Sequence, residues 1–324
     1  MKKFIVADYS NFSTYGGVEK NAELITKDIE KIGKLKIKRI NYKSQIFPLF
    51  FKSLFRIKFV DYFICYKNSI LTGLFFKIAG SKLIIRVNNS PESYLYWFKL
   101  SSFFSHYLKI KLVKSEIILF NSKKIKNFYS LFSKYNKNLY FLNNNYDFNP
   151  IEINISKRNK IYLASRLTWE KNLLNTYKIF KQTVRDIDYD LFAFSTTKNN
   201  LKEIKNFNSL QYNFNDIYVS LSFFEGMPNM VFQALFKGSA LLLSNCWSHV
   251  EIYNLLLNFG LANRIHIISS DYKNESCLIN EIKILKDQIK EDNHALVQIK
   301  LSSLRKYLIT NYKKTINEIC KLIE

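Results

Sequence analysis

Residues 216–236 read DIYVSLSFFEGMPNMVFQALF and predict a strand, a loop and a helix in succession. The strand is expected over Asp216–Leu221 and the helix over Pro228–Lys237. Gly226 lets the loop backbone approach a ligand closely, and Pro228 suits a first helical turn because its missing N–H would have no helical partner there. Ligands of open α/β sheets bind beyond the carboxyl ends of the strands, so this loop is the first candidate for a binding site.

Strands and helices alternate through the rest of the chain, which predicts doubly wound parallel sheets. In the first half, strands are predicted at Phe4–Ser10, Lys36–Tyr42, Asp61–Tyr66, Lys82–Asn88, Glu116–Asn121 and Asn138–Leu142, and helices at Val18–Ile32, Ile70–Ala79, Ser93–Leu112 and Lys123–Ser133. In the second half, further strands are predicted at Lys160–Ser165, Asp190–Ser195, Ala240–Ser244 and Ile265–Ser269, and further helices at Asn172–Val184, His249–Leu257, Glu281–Lys290 and Leu301–Glu324. We expect an α/β fold of two Rossmann-like domains that face each other across a cleft, with C-terminal helices.

The length of 324 residues and the 48% apolar content suffice for two cores, in domains of roughly 150 residues each. The polar run Asn143–Pro150 predicts the linker, which places the domains at 1–147 and 148–324, with the helical tail in the second. The first residues, Met1–Asp8, resemble a signal peptide for only four apolar residues before an aspartate, which favours a buried strand. No stretch contains the ~18 uninterrupted apolar residues of a membrane span. We therefore expect neither a cleaved export signal nor a transmembrane helix.

The net charge of +23 is concentrated in the first half. Residues 1–150 contain 26 Lys and Arg against 9 Asp and Glu, whereas residues 151–324 contain 23 against 17. We favour attraction to an anionic membrane surface as the reason. Two alternatives remain open: a lysine excess that reflects the Lys, Asn, Ile, Phe and Tyr bias of an AT-rich genome, and a nucleic acid, for which no recognition motif is present.

Two stretches of the first half interleave aromatic and basic residues. They are IFPLFFKSLFRIK at Ile46–Lys58 and the segment from Tyr94 to Lys111. Such stretches can lie in a lipid interface. The alternative is a helix that packs in the core and extends its lysines outward.

Cysteines and histidines give no sign of a metal centre. The four cysteines lie far apart without a Cys-x-x-Cys pair, which suits a reducing cytoplasm, and the four histidines have no metal-ligand spacing. We expect no metal ion and no separate cofactor.

A second candidate loop follows the predicted strand Lys160–Ser165 and supplies Arg166 and Lys171 before the next helix. Two fixed cations could neutralise a diphosphate without a metal. Either cation alone is more often a solvated surface charge, but both together with the loop after Leu221 indicate a site. In that loop, Glu225 is suited to accept hydrogen bonds from sugar hydroxyls, and the amides that open the following helix are suited to an anion.

A third, weaker signal is Gly16-Gly17 after the first strand, where an ordinary loop is about as good an explanation as a ligand-facing turn. In order and spacing, the three motifs resemble the retaining family-4 glycosyltransferases of the GT-B fold over nearly the whole chain. Gly16-Gly17 looks like the family's Gly-Gly loop, Ser165-Arg166…Lys171-Asn172 is similar to its Gly-Arg…Lys-Gly pattern, and Glu225 occupies the first position of its Glu-x7-Glu signature. Weaker likenesses are Ser122, Glu251 and the hinge-like segment Phe141–Asp147.

The resemblance implies that the first Glu touches the donor sugar, that the Arg and Lys hold the diphosphate, and that the second signature position binds the ribose. The resulting candidates are Glu225, Arg166 and Lys171 for catalysis; Gly16, Gly17, Arg166, Lys171, Gly226, Met227, Asn229, Met230, Val231 and Gln233 for the donor; and Arg86, Asn88 and Asn89 for the acceptor side.

Three features depart from the family pattern. The second signature position is Gln233, which loses the bidentate carboxylate contact to the ribose but can still accept one hydrogen bond. The region between Ser195 and Asp216, which shapes the base pocket in the family, is short. The histidine that family members often have in the first domain is missing from Arg86–Ser90.

The resemblance implies a metal-independent transferase that moves a sugar from a nucleotide-diphosphate-sugar to a membrane-associated glycan or lipid-linked acceptor, with retention of configuration. It also implies a cytoplasmic protein, peripheral on the inner face of the bacterial inner membrane, in surface polysaccharide synthesis such as lipopolysaccharide O-antigen or capsule. A non-catalytic GT-B-like binding partner is the main alternative, because Gln233, the short base region and the absent histidine all favour it.

Overall fold

The computed structural model describes residues 3–9, 17–66, 70–88, 90–93, 116–132, 138–146, 160–183, 189–195, 204–206, 212–269 and 275–324. These residues form two compact units, one from Met1–Asn145 with Leu308–Glu324 and the other from Tyr146–Tyr307. Each unit is an α/β structure on a parallel sheet, which confirms the predicted fold class. No helix in the described part of the chain is both long and apolar enough to cross a bilayer.

The first unit contains a six-stranded parallel sheet within the described residues. Its strands are β1 (Ile5–Asp8), β2 (Ile37–Ile40), β3 (Tyr62–Cys65), β4 (Lys82–Val87), β5 (Ile117–Phe120) and β6 (Leu139–Phe141). Its first helices are α1 (Gly17–Ile32), α2 (Ile46–Leu54), α3 (Ile70–Ile78) and α4 (Lys123–Phe132). The strand order is β2-β1-β3-β4-β5-β6, so the direction of winding reverses between β1 and β3.

Both faces of this sheet are covered by a core cluster. Successive side chains of a strand point to opposite faces, so neighbouring residues of one strand enter different clusters. Ile5 and Ala7 of β1 lie in one core cluster, and Val6 between them lies in the other. This explains why inner strands such as β3 and β5 read as continuous apolar runs. All six strands predicted for this half are present, each within two residues of the predicted ends. The predicted helix Ser93–Leu112 lies outside the described residues except at its first position.

The second unit repeats the design. Its strands are β7 (Lys160–Ser165), β8 (Asp190–Ser195), β9 (Ile204–Asn206), β10 (Ile217–Ser220), β11 (Ala240–Ser244) and β12 (Ile265–Ile268). The helices that follow are α5 (Leu173–Thr183), α6 (Asn229–Phe236), α7 (Trp247–Asn258), α8 (Glu275–Lys290) and α9 (His294–Ile323). The order β12-β11-β10-β7-β8-β9 is that of a Rossmann fold, and its winding reverses between β7 and β10. The sequence did not predict β9.

The C-terminal helix differs from its predicted assignment. The sequence places the whole tail in the second domain, but residues 308–324 belong to the first unit. Ile316 and Ile319, at helical spacing in α9, are buried in the same core cluster as Ile25 and Ile29 of α1. The helical period of the tail predicts an apolar stripe, but not the unit against which that stripe packs.

Shortening a buried side chain of this stripe should destabilise the first unit. We expect Ile316→Ala to lower the free energy of unfolding by about 2–5 kcal/mol, because it leaves a cavity in the core. The neighbouring Asn317 is exposed, so Asn317→Ala serves as the matched control and should change little. Urea unfolding of both variants gives the measurement, and equal stability of the two would contradict this packing.

Candidate functional site

Two loops leave the second sheet side by side at the reversal point. Strands β7 and β10 pair in parallel, with Val219 beside Leu163, so their carboxyl ends lie together. The loop after β7 carries Arg166 and Lys171, and the loop after β10 carries Glu225. The reversal of strand order opens a crevice at this position in doubly wound sheets, and ligands bind there. The topology therefore brings together the two loops that the sequence identifies independently.

The loop after β7 depends on a residue in a left-handed conformation. Trp169–Lys171 form a short 3-10 turn, and Asn172 ends it with φ 52° and ψ 22°. Asn tolerates this conformation better than other non-glycine residues, which explains how it can occupy a position where the resembling family has Gly. The carbonyl of Asn172 then accepts hydrogen bonds from the Thr176 amide (3.0 Å) and hydroxyl (2.7 Å), which starts α5.

Direct contacts join the two loops. The Phe223 amide donates to the Glu170 carbonyl at 2.9 Å, and the Asn172 side chain donates to the Leu221 carbonyl at 3.4 Å. The ring of Trp169 packs on that of Phe223, with centroids 5.5 Å apart. These contacts fix the positions of the charged side chains that the loops carry.

An ion pair connects Lys171 and Glu225 across the loops. The Lys171 and Glu225 side chains are only 13% and 12% exposed, and the Ser222 hydroxyl donates to the second carboxylate oxygen of Glu225 at 3.1 Å. Burial raises the pKa of Glu225, but the charges of Lys171 and His249, with hydrogen bonds from Lys171 and Ser222, more than offset it. The net pKa is below the ordinary value, so Glu225 is a carboxylate at neutral pH.

Sequence reasoning missed His249, which is fully buried in the first turn of α7. Its Nδ1 lies 3.0 Å from the Ser244 hydroxyl and 3.1 Å from the Ser244 carbonyl. Because a carbonyl can only accept, Nδ1 carries the hydrogen. The Ser244 hydroxyl donates in turn to the Ser222 carbonyl, so His249 supports the loop that carries Glu225. Its position shortly after the predicted strand Ala240–Ser244 is the sequence signal that could have identified it.

The donor candidates of the second unit are on the same two loops and on helix α6. Arg166 is exposed, and its guanidinium is 3.8 Å from the Glu170 carboxylate. Helix α6 begins at Asn229, one residue later than predicted, with Pro228 as an extended N-cap residue. The first amides of this helix, which lack helical acceptors, belong to Asn229, Met230 and Val231. Gly226 and Met227 form the bend before the helix, and Gln233 is half-buried in its second turn.

The donor candidates of the first unit are only partly described. Gly16 lies outside the described residues, and Gly17 is the first residue of α1. Their predicted role in donor binding stays a prediction.

On the acceptor side, Arg86 is buried inside the first unit and Asn89 lies outside the described residues. The guanidinium of Arg86 donates to the Asn88 side chain (3.1 Å), the Leu142 carbonyl (3.0 Å) and the Asn144 side chain (3.1 Å). These contacts tie β4 to the segment after β6 and give Arg86 a structural role. A role of Arg86, Asn88 or Asn89 toward an acceptor stays a prediction.

Comparison with solved structures identifies the fold. The Anabaena protein HepE, solved with UDP and glucose, matches 100% of this chain over 99% of its own, with a TM-score of 0.62 and 14% identity. For sucrose-phosphate synthase from Thermosynechococcus elongatus, the superposition covers 99% of this chain and 98% of the synthase, with a TM-score of 0.63 and 9% identity. For a UDP-forming α,α-trehalose-phosphate synthase from Burkholderia vietnamiensis, it covers 98% of this chain and 96% of the synthase, with a TM-score of 0.59 and 8% identity.

These likenesses extend over whole chains and show that this protein has the GT-B fold, as predicted. At such low identity they establish the fold alone. No known family model matches the sequence, and no curated protein sequence does. Membership of glycosyltransferase family 4 therefore stays a prediction.

Removing the cation of the buried pair should destabilise the protein in a pH-dependent way. In Lys171→Met, the lysine charge no longer offsets the effect of burial, so the pKa of Glu225 rises. We expect a loss of about 3–5 kcal/mol near neutral pH, where the carboxylate is ionised and unpaired. The loss should shrink as the pH falls toward the ordinary carboxyl pKa of about 4.3, because Glu225 is then protonated at little cost. Urea unfolding at the two pH values measures both effects.

The double variant Lys171→Met/Glu225→Gln is the control, because it buries no charge at this position. It should regain much of the lost stability and show little of this pH dependence. A single-variant loss of the same size at both pH values would mean that the charge of Lys171 does not hold Glu225 in its ionised form.

Proposed function

We propose that this protein is a glycosyltransferase that moves a sugar from a nucleotide-diphosphate-sugar to a glycan or lipid-linked acceptor at a membrane, with retention of configuration and without a metal ion. The observation that carries the proposal is the Lys171–Glu225 pair at the reversal point of the second sheet. The loop of Lys171 also carries Arg166, and the loop of Glu225 leads into α6. A carboxylate for sugar hydroxyls next to cations for a diphosphate is the combination that such a donor requires.

The solved neighbours support a nucleotide-sugar donor. HepE has been solved with UDP, with UDP and glucose, and with UDP-glucose, and the trehalose-phosphate synthase is described as UDP-forming. A UDP-sugar is therefore the first donor to test. The likeness of these proteins and of the sucrose-phosphate synthase to this chain covers nearly the whole chain in each case.

In the proposed reaction, the bond between the anomeric carbon and the diphosphate oxygen breaks. The acceptor hydroxyl forms its bond to the anomeric carbon on the same face, and its proton passes to the departing phosphate oxygen. Arg166, Lys171 and the amides at the start of α6 stabilise the charge that develops on the diphosphate. Glu225 orients the donor ring through its hydroxyls. Gln233 accepts one hydrogen bond from the ribose.

The proposed acceptor is a glycan or lipid-linked molecule at the membrane surface. The acceptor is assigned to the first unit, which contains Asn88 and Asn89, and the charge of residues 1–150 favours a substrate at an anionic membrane face. The family resemblance points to bacterial surface polysaccharide synthesis from the cytoplasmic side of the inner membrane. A non-catalytic binding partner is the second candidate, favoured by Gln233 in place of the second signature carboxylate.

Donor binding and transfer can be tested separately. A matching nucleotide-sugar should raise the melting temperature, because a ligand that binds only the native state stabilises it. In a transfer assay with that donor, Arg166→Ala and Lys171→Ala should each reduce the rate about 10²–10³-fold, since loss of one charge-stabilising donor typically costs about 2.7–4 kcal/mol.

Lys178→Ala is the matched control, because this lysine is exposed on α5 of the same unit. Its transfer rate should equal that of the wild type. A donor-induced thermal shift without any transfer would favour the non-catalytic alternative, and unchanged transfer in both site variants would contradict the roles proposed for the two cations.

A further inference from the structure

Helix α2 has two apolar faces, of which only one is buried. Ile46 and Leu49 face the core of the first unit. On the outer side, Phe47, Phe51 and Phe55 are exposed, with Phe55 in the turn after the helix. The sequence leaves open whether this segment packs in the core or lies in a lipid interface. The structure shows that one face of the helix packs in the core and that the face with the exposed phenylalanines does not.

The exposed face continues onto α3, which contributes Phe75 and Ile78. The Phe47 and Phe75 ring centroids are 5.8 Å apart, and those of Phe51 and Phe55 are 6.4 Å apart and stacked. Ile78 follows Phe75 by three residues on the helix and so lies on the same side. We call these five residues, which are between 40% and 68% exposed, the aromatic patch: Phe47, Phe51, Phe55, Phe75 and Ile78.

Basic residues dominate the sequence around the aromatic patch. Residues 41–80 contain six Lys and Arg and one acidic residue, Asp61. The carboxylate of Asp61 accepts a hydrogen bond from the Phe4 amide at 2.7 Å, so it is engaged with the backbone. Lys77 pairs with Glu116 at 2.8 Å, but Lys43 and Lys52 are exposed beside the patch residues in the sequence. The patch therefore lies in a segment of positive charge.

This combination favours one occupant over the others. A second copy of the chain would bring the same basic segment against itself, which like-charge repulsion opposes. An anionic bilayer matches both properties, because aromatic side chains enter the headgroup boundary while lysines contact the phosphates. A contiguous exposed apolar patch of this kind on a protein surface marks an interaction site rather than ordinary surface.

We propose that the aromatic patch of α2 and α3 inserts into the interface of an anionic membrane, with the basic residues of 43–58 on the lipid headgroups. This docking surface deepens the membrane association suggested above and rests on that part of the proposed function. It does not require that the site at Lys171 transfers sugar.

Flotation with lipid vesicles tests the proposal. The full chain should float with phosphatidylcholine vesicles that contain phosphatidylglycerol, and far less with phosphatidylcholine alone. Phe51→Ser/Phe75→Ser should weaken binding to the anionic vesicles at least about tenfold, because two exposed aromatic rings no longer transfer from water into the lipid interface. Lys43→Glu/Lys52→Glu should also weaken binding, and added salt should abolish the difference between those lysine variants and the wild type.

Leu131→Ser is the matched control, because Leu131 is exposed on α4 of the same unit but lies outside the aromatic patch. It should bind like the wild type. Equal binding of wild type and the double Phe variant would overturn the proposal, as would equal loss with Leu131→Ser or no flotation of the wild type. A wild-type dimer that the Phe variant makes monomeric, without vesicle binding, would assign the patch to a second copy instead.

The donor-induced thermal shift separates this proposal from the proposed chemistry. The Phe variant should retain the wild-type shift, because the substituted side chains lie in the first unit and outside the donor site. Absence of any shift would count against the donor site and leave the vesicle result unaffected. Loss of flotation with an intact shift would support the docking surface alone.

Discussion

The buried ion pair between Lys171 and Glu225 joins two loops that are distant in sequence and adjacent in the sheet. Either charge alone would be costly in this place, because a buried charge without its partner loses its hydration and gains nothing in return. The two loops therefore stabilise each other only in the conformation that brings these side chains together. Asn172 in its left-handed conformation and the bond from Phe223 to the Glu170 carbonyl hold the backbones at the required distance.

Under the proposed function, the same pair prepares the site for its donor. Lys171 is held near the position of the diphosphate by an anion that belongs to the protein, so little reorganisation is needed when a phosphate arrives. A phosphate that attracts Lys171 would loosen its hold on Glu225 and leave that carboxylate free to accept hydrogen bonds from the sugar. His249 limits how far Glu225 can move, because Ser244 and Ser222 link the imidazole to the loop.

The sequence predicts the sheets well and the long-range contacts poorly. The strand Lys160–Ser165 is predicted to the residue, because a strand buried on both faces of a parallel sheet is a continuous apolar run. Glu225 could be found because it follows such a strand and precedes a helix. The bond from the Ser244 hydroxyl to the Ser222 carbonyl, through which His249 supports the Glu225 loop, depends on which strands are neighbours, and local pattern does not contain that information. The helical period of α9 likewise predicts which face is apolar but not which core that face packs against. The sequence therefore predicts residues 308–324 in the second domain, whereas they belong to the first unit.

The protein uses positive charge in two physically different ways. In the second unit, the buried cation Lys171 is paired with a carboxylate and removed from solvent, so salt screens that interaction weakly. Near the aromatic patch, Lys43 and Lys52 are exposed, so their attraction to any anionic surface falls with ionic strength. A close ion pair adds little to the field outside the molecule, whereas unpaired exposed charges add to it fully. The charge excess of residues 1–150 therefore bears on where the protein binds, and the paired charges of Lys171 and Glu225 bear on what the site can hold. A change in salt concentration should therefore separate association with a surface from recognition of a small anionic ligand.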